Sequence, residues 1–236
     1  MLLPLALLPA ALSGLAHAGR IEVAVDPAQV AAHESTWAVY GAGGTYGGLV
    51  TLDGSPTKEG GAVLVASYLA PGQTQASWLE GVTVDPQGLL VSVVRREGRR
   101  IRTLTVGEGT VSDVVTEGKE ATPLSSRSHA LGAQAFSPWL TPLVLPAVLP
   151  RAGDTWQGSV LAGDQVSVPD AVLTAQGKQD VGGGRKALVA QLVPVEGHPR
   201  TYVYSEDGVA AMIDTQGGVQ WVAGERQALL SAHSAK

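Results

Sequence analysis

Four stretches of the chain carry residue types that could do chemistry, and their spacing sorts them. Ser55-Pro56-Thr57-Lys58 has the Ser-x-x-Lys spacing in which a lysine one helical turn away faces the serine hydroxyl. Here the tetrad lies between Asp53-Gly54 and Glu59-Gly60-Gly61, and the chain holds no Lys-Thr-Gly to complete such a site, so the tetrad reads as a hairpin turn. His33-Glu34 begins like the His-Glu-x-x-His zinc helix, but position 37 is Trp. His129, His198 and His233 stand apart from it and from one another, which makes them surface or capping groups. A metal site is left only to residues gathered from distant strands, and none is expected. Gly41-Ala42-Gly43-Gly44-Thr45-Tyr46-Gly47-Gly48 is dense in glycine but lacks the lysine of a phosphate loop. It leads into the strand-like Leu49-Val50-Thr51-Leu52, so a loop or bulge is expected and no cofactor.

The fourth stretch is basic. Arg95, Arg96, Arg99, Arg100 and Arg102 gather five of the 16 Lys and Arg residues around one expected hairpin tip. Guanidinium forks pair well with phosphate and carboxylate, so these five are candidates for contact with anionic lipid or an envelope polymer. The other reading is a solvated hairpin whose charges discourage edge pairing. No Gly-x-Ser-x-Gly elbow and no cysteine nucleophile is present, and only 16% of the residues are charged. The expectation is therefore a protein that is not an enzyme. A hydrolase remains a third reading, because a pair of catalytic carboxylates is assembled by the fold and not by spacing.

The elements that must position these groups are mostly strands. Alternating or apolar runs of strand length occur at 21–25, 62–69, 75–79, 82–84, 89–95, 99–106 and 109–116, with Asp85-Pro86-Gln87-Gly88 and Glu97-Gly98 as turn signals between them. They resume at 154–160, 165–175, 186–193, 200–205, 209–214 and 219–223, with turns at 182–184 and 206–208, and the tail from 224 is compatible with helix. Short strands at this spacing predict an all-β fold, mainly antiparallel, as a curved sheet or partly open β-barrel. Between them, residues 136–150 carry a proline every four residues. Such a segment is neither one regular helix nor a central strand. It is expected to be a Pro-rich apolar connector, or a short helix leading into one, that covers one face of the sheet. Its large side chains Phe136, Trp139, Leu140, Leu143 and Val144 are the candidate ligand-binding residues, and Trp139 is expected against the concave face.

Leu2 to Leu15 is almost unbroken apolar sequence and ends in Ala16-His17-Ala18, a pattern that a signal peptidase accepts, although no Lys or Arg precedes it. Residues 1–18 are accordingly expected to be a signal peptide and 19–236 a single β-rich domain, with a sub-boundary open near 118–150. No other stretch approaches the roughly 20 apolar residues of a membrane span. The net charge of −5 argues against a nucleic-acid partner, whose recognition rests on neutralising phosphates. The chain has neither Cys nor Asn, so no disulfide can staple it and stability must come from its core. A heat-tolerant source and a GC-rich genome would both produce this bias.

One stretch invites comparison with a known group. The apolar connector is followed by Leu149-Pro150-Arg151-Ala152-Gly153-Asp154-Thr155-Trp156, a strand pair, Thr201-Tyr202-Val203-Tyr204 with Asp207-Gly208, and Gly217-Gly218-Val219-Gln220-Trp221. Over roughly the last hundred residues this succession resembles secreted bacterial envelope proteins of unknown function that share the incomplete β-barrel of the LolA/LolB lipoprotein carriers. The resemblance implies a curved sheet whose apolar concave face is covered by the Pro-rich segment, and it transfers no functional residue. Together these readings predict an exported protein of the periplasm, cell envelope or exterior that binds a lipid, another hydrophobic ligand or an envelope component. The alternative is a structural or accessory subunit of a surface assembly, with an envelope protein as partner.

Overall fold

The computed structural model describes residues 24–118, 122–131, 134–149, 151–164, 166–180, 186–193, 199–205, 208–214 and 218–234. The expected signal peptide, the turns at 182–184 and 206–207, and His198 lie outside these residues.

The predicted alternation becomes one 15-stranded sheet. Its first half is a meander of β1 (Glu34–Tyr40), β2 (Tyr46–Pro56), β3 (Ala62–Leu69), β4 (Trp78–Val84), β5 (Leu90–Glu97), β6 (Arg100–Gly107), β7 (Thr110–Glu117) and β8 (Ser125–Ala130). The second half is β9 (Ala135–Phe136), β10 (Thr155–Leu161), β11 (Val166–Asp180), β12 (Lys186–Val193), β13 (Arg200–Ser205), β14 (Gly208–Asp214) and β15 (Gln220–Gly224). The last strand pairs with the first, Val39 opposite Trp221, so the order runs β8 to β1 and then β15 to β9. Neighbours are antiparallel except for β9 and β10. β8 and β9 are the two edges, and no ladder joins them, so the sheet is open.

It curls around an apolar interior. Leu64, Ala66, Val82, Val84, Val93, Leu104 and Val111 alternate along β3–β7 on one face and are all buried. The same face of β13 presents Tyr202 and Tyr204, both fully buried. The outer face is buried only locally. Thr36, Ala38, Leu49 and Thr51 point away from the interior, yet they are covered because helix α3 (Arg226–Ser234) packs on β1 and β2. Its Arg226 pairs with Asp53, and His233 sits between the Tyr46 hydroxyl, 2.7 Å away, and the Gln73 carbonyl, 3.0 Å away.

Three expectations change in detail. The 136–150 segment does not run on as an extended connector. Pro138–Leu140 form a 3-10 turn and Thr141–Val148 an eight-residue helix, α2. Pro142 is tolerated because the first helical turn has no N–H to lose. Pro146 removes one internal bond, and the segment stays helical because its apolar side is buried: Leu140, Leu145 and Leu149 are at most 1% exposed. The helix lies inside the curl against β13 and β14, where the Tyr204 hydroxyl donates to the Leu149 carbonyl at 2.7 Å. Second, residues 24–26 form no strand. They lead into helix α1 (Pro27–Ala32), whose N-cap Asp26 accepts from the Ala28 N–H at 2.9 Å. Third, the expected run at 75–79 becomes strand only from Trp78, and it continues through Glu80-Gly81 into 82–84 as one strand, β4. The Ser55–Lys58 tetrad ends β2 and enters a turn closed by the Thr57 N–H on the Gly61 carbonyl.

Helix α1 closes one end of the curl through contacts that only glycine permits. A Cβ at Gly54 would stand 1.9 Å from the Val30 carbonyl oxygen, whereas one at Gly43 would meet nothing within 4 Å despite its φ of +79°. Gly43→Ala should cost about 1–2 kcal/mol from backbone strain alone. Gly54→Ala should cost about 3 kcal/mol or more, because α1 must be pushed off the sheet. Urea unfolding of both variants checks the order. Equal costs would show that α1 is loosely seated.

Candidate functional site

Period-two alternation places side chains of very different character on the inner face at the end of the curl away from α1. Tyr68 on β3, Trp78 on β4 and Arg95 on β5 follow one another across the sheet. Tyr68 and Trp78 stack with centroids 5.7 Å apart and planes 18° from parallel. The Arg95 guanidinium lies 4.5 Å above the Trp78 ring. Trp139, delivered by the 3-10 turn before α2, meets Trp78 at 5.8 Å. The concave face is thus where the structure sets Trp139.

Beneath them lies Glu80, which is fully buried. Its Oε1 accepts from Trp139 Nε1 at 3.0 Å and its Oε2 lies 3.5 Å from Arg95 Nη1. The backbone N–H of Gly163, in the β10–β11 turn, also donates to this carboxylate. Arg102 completes the arrangement. Its fork binds both oxygens of Asp113 at 2.9 and 2.8 Å, and its Nη1 donates to the Gly163 carbonyl at 3.2 Å. The β10–β11 turn is therefore clamped across the concave face by its own peptide groups. Glycine is required there: a Cβ at 163 would fall 2.2 Å from Arg95 Cβ and 2.7 Å from Glu80 Oε2.

Burial pushes the Glu80 carboxyl above the ordinary glutamate range, with the Asp164 charge adding to the rise and the Gly163, Arg95 and Trp139 contacts opposing it. The Asp113 carboxyl is held below its ordinary range, first by the Arg102 hydrogen bonds. Both Glu80 oxygens are engaged, so the group works as a tie between segments.

Two hollows flank this clamp. The first is a cavity of about 410 Å³. One wall is Val50, Tyr68, Trp78 and Arg95; the opposite wall is Val39, Trp221, Met212 and Arg200. Pro138, Trp139, Ala162 and Asp164 border it, and the glycine-rich loop contributes Gly41 and Gly47. That loop is a 3-10 turn and a bulge between β1 and β2, anchored by the Tyr68 hydroxyl donating to the Gly47 carbonyl. The second hollow, about 350 Å³, is polar and contains Arg95, Arg100, Arg102, Asp113, Arg127 and Asp164. Arg95 and Asp164 belong to both.

The candidate residues named from the sequence are therefore divided. Of the apolar five, Trp139 lines the cavity. Phe136 packs on Trp156 at 5.3 Å, Leu140 and Val144 are in the core, and Leu143 is packed against it. Of the arginines, Arg95, Arg100 and Arg102 share the inner face with the polar hollow. Arg96 lies on the other face, bonded to the Gly98 carbonyl, and Arg99 sits at the turn. Sequence reasoning missed Tyr68, Trp78, Trp221, Arg200, Glu80 and Asp164. The first three lay in expected strands, and their alternate spacing was the available signal. Among the described residues, no group of three His, Asp or Glu side chains could hold a metal.

The opposite shifts of Glu80 and Asp113 give pH a sign. A carboxyl whose folded pKa is raised binds protons more readily in the folded state, so its contribution to stability falls as pH rises from about 4.5 upward. Asp113, with a lowered pKa, contributes stability above about 3.8 that disappears as pH falls through its folded value. Urea unfolding from pH 4.5 to 8 should show the decline, and Glu80→Gln should flatten it. An unchanged slope in the variant would mean that another group titrates. Gly163→Ala should lower the melting temperature by several degrees, a shift that differential scanning calorimetry reads.

No family model matches the chain, and no curated protein sequence matches it. Among solved structures the chain is similar to a β-barrel-like protein of the domain of unknown function DUF1849 from Brucella abortus, with a TM-score of 0.51 and 11% identity, covering 86% of this chain and 98% of that one. At that identity the likeness is one of fold. It supports the β-barrel-like part of the resemblance read from residues 149–221 and nothing specific to the LolA/LolB carriers.

Proposed function

We propose that the chain is an exported, non-enzymatic envelope protein that holds a small amphipathic ligand inside its curled sheet. The observation that carries this reading is the cavity of about 410 Å³ walled by Tyr68, Trp78, Trp139 and Trp221 and bordered by Arg95, Arg200 and Asp164. Small-molecule sites are hollows of about 300–1,000 Å³ with mostly apolar walls and a few placed polar groups. Aromatic faces supply large contact area at low entropic cost and accept both acyl chains and flat rings. The volume suits one single-chain or ring-sized molecule, so a carrier of large multi-chain lipids is the less favoured version of the LolA/LolB-like reading. Export is supported by the apolar run of residues 2–15 and the Ala16-His17-Ala18 box.

Native mass spectrometry of protein purified from its own envelope tests the reading, because a retained ligand adds mass. Trp139→Ala should reduce retention at least about tenfold, since it removes one cavity wall and the Glu80 donor. It should also cost about 2–4 kcal/mol of stability, so melts accompany the measurement. Trp221→Ala, which leaves the Glu80 tie intact, should reduce retention with a smaller loss of stability. Retention unchanged in both variants would remove the carrier reading and favour an accessory subunit of an envelope assembly. The same spectra give the mature N-terminus, expected at Gly19; an intact Met1 would overturn the export proposal.

A further inference from the structure

The ligand's charge can be argued from the second hollow, and this step rests on the carrier reading above. The polar hollow is floored by the inner face of β5–β8 and walled by the Gly163-Asp164 turn. Its residues do not cancel one another. The Arg102 fork is spent on Asp113, at 2.9 and 2.8 Å, and Arg95 lies 3.5 Å from both Glu80 and Glu97. Arg100 and Arg127 have no acidic partner within ion-pair distance among the described residues. Asp164, on the turn, is the one acid of the lining outside these pairs. Arg100 has Glu97 and Glu117 as cross-strand neighbours and Arg127 has Asp113, yet neither guanidinium makes an ion-pair contact among the described residues, so both line a concave space with their forks open to phosphate or carboxylate.

The two hollows also meet. Arg95 belongs to both: its guanidinium stacks on Trp78 beside the apolar cavity while its Nη2 is directed to Glu97 in the polar one. Asp164 is the second shared residue. A molecule that runs past Arg95 would have its apolar body among the aromatic rings and its end beside Arg100 and Arg127. We infer that the ligand is an anionic single-chain amphiphile whose phosphate or carboxylate head is held by Arg100 and Arg127 at the polar end of the aromatic cavity.

Calorimetric titration with decyl phosphate, decanol and inorganic phosphate tests this. The wild-type protein should bind decyl phosphate about tenfold or more tightly than decanol, the scale of one charge-assisted hydrogen bond. Raising the salt from 0.15 M to 0.5 M should narrow the gap, since the head lies near solvent. Arg100→Gln with Arg127→Gln changes two exposed side chains, so the fold should hold. That variant should lose the preference and keep the decanol affinity. Asp164→Asn should widen the preference. Equal binding of decyl phosphate and decanol by the wild type would overturn the head site and leave the cavity reading standing. Failure of every decyl compound to bind would overturn both. Inorganic phosphate competing at the same concentration as decyl phosphate, with decanol still bound beside it, would make the hollow a free-anion site and overturn the joint ligand.

Discussion

The buried carboxylate of Glu80 is the constraint on which the architecture turns. An open sheet has two edges and no ladder to join them, so curling must be held by other contacts. Glu80 on β4 takes an indole N–H from the segment before α2, an amide N–H from the β10–β11 turn and a guanidinium from β5. Those groups come from positions 139, 163 and 95 and from both halves of the sheet. Burying a carboxyl group costs several kcal/mol unless its lone pairs are met, so each of these partners offsets part of that cost. Arg102, bonded to the Gly163 carbonyl from β6, grips the same turn from the other side. The curl is held by one residue, Gly163, gripped at both its backbone polar groups.

The cavity follows from that closure. Trp139 stands on a 3-10 turn and packs against the core, and its Nε1 bond to Glu80 sets the ring at an angle of 41° to Trp78. Trp78 is in turn set by Tyr68 on one side and Arg95 on another. The rings are therefore set by the fold itself, and under the carrier reading proposed above this order lowers the entropic cost of binding. The carboxylate that holds the rings is spent on that task.

How much of this was legible can be judged from particular residues. The strands at 62–69, 186–193 and 200–205 match β3, β12 and β13 at both ends, because alternation and turn residues are local signals. β1 and β8 were missed. β8 is Ser-Ser-Arg-Ser-His-Ala, without an apolar residue larger than alanine, and its pairing comes from β7 alone. The expected runs at 75–79 and 82–84 left Glu80-Gly81 between them, and the ordinary rule is that a charge does not sit inside a buried run. The rule failed because Glu80 finds three partners that are distant in sequence. No spacing announces such partners, so the residue that organises the site was the least visible one. The crowding of apolar groups in 136–149 was visible, but not which of them would face a cavity. Leu140, Val144 and Leu145 are consumed by packing on the sheet, leaving Trp139 to line the cavity.

The arginine hairpin shows that a charge cluster in sequence is not one in space. Glu97 pairs with Arg100 and Arg95 with Arg102, leaving Gly98-Arg99 as a two-residue loop in which Gly98 takes a φ of +58°. Residues that pair across a two-residue loop share a face, so 95, 97, 100 and 102 go together and 96 and 101 go to the other side. Val93 and Leu104, buried in the core, fix which side is inner. The inner set then continues through Asp113 and Arg127 on β7 and β8, which are far from it in sequence. Two of the five arginines leave the cluster by the arithmetic of the pleat, and a sixth joins it through the ladder. What remains is a polar hollow that borders the aromatic cavity at Arg95, the residue with a ring below it and acids on either side.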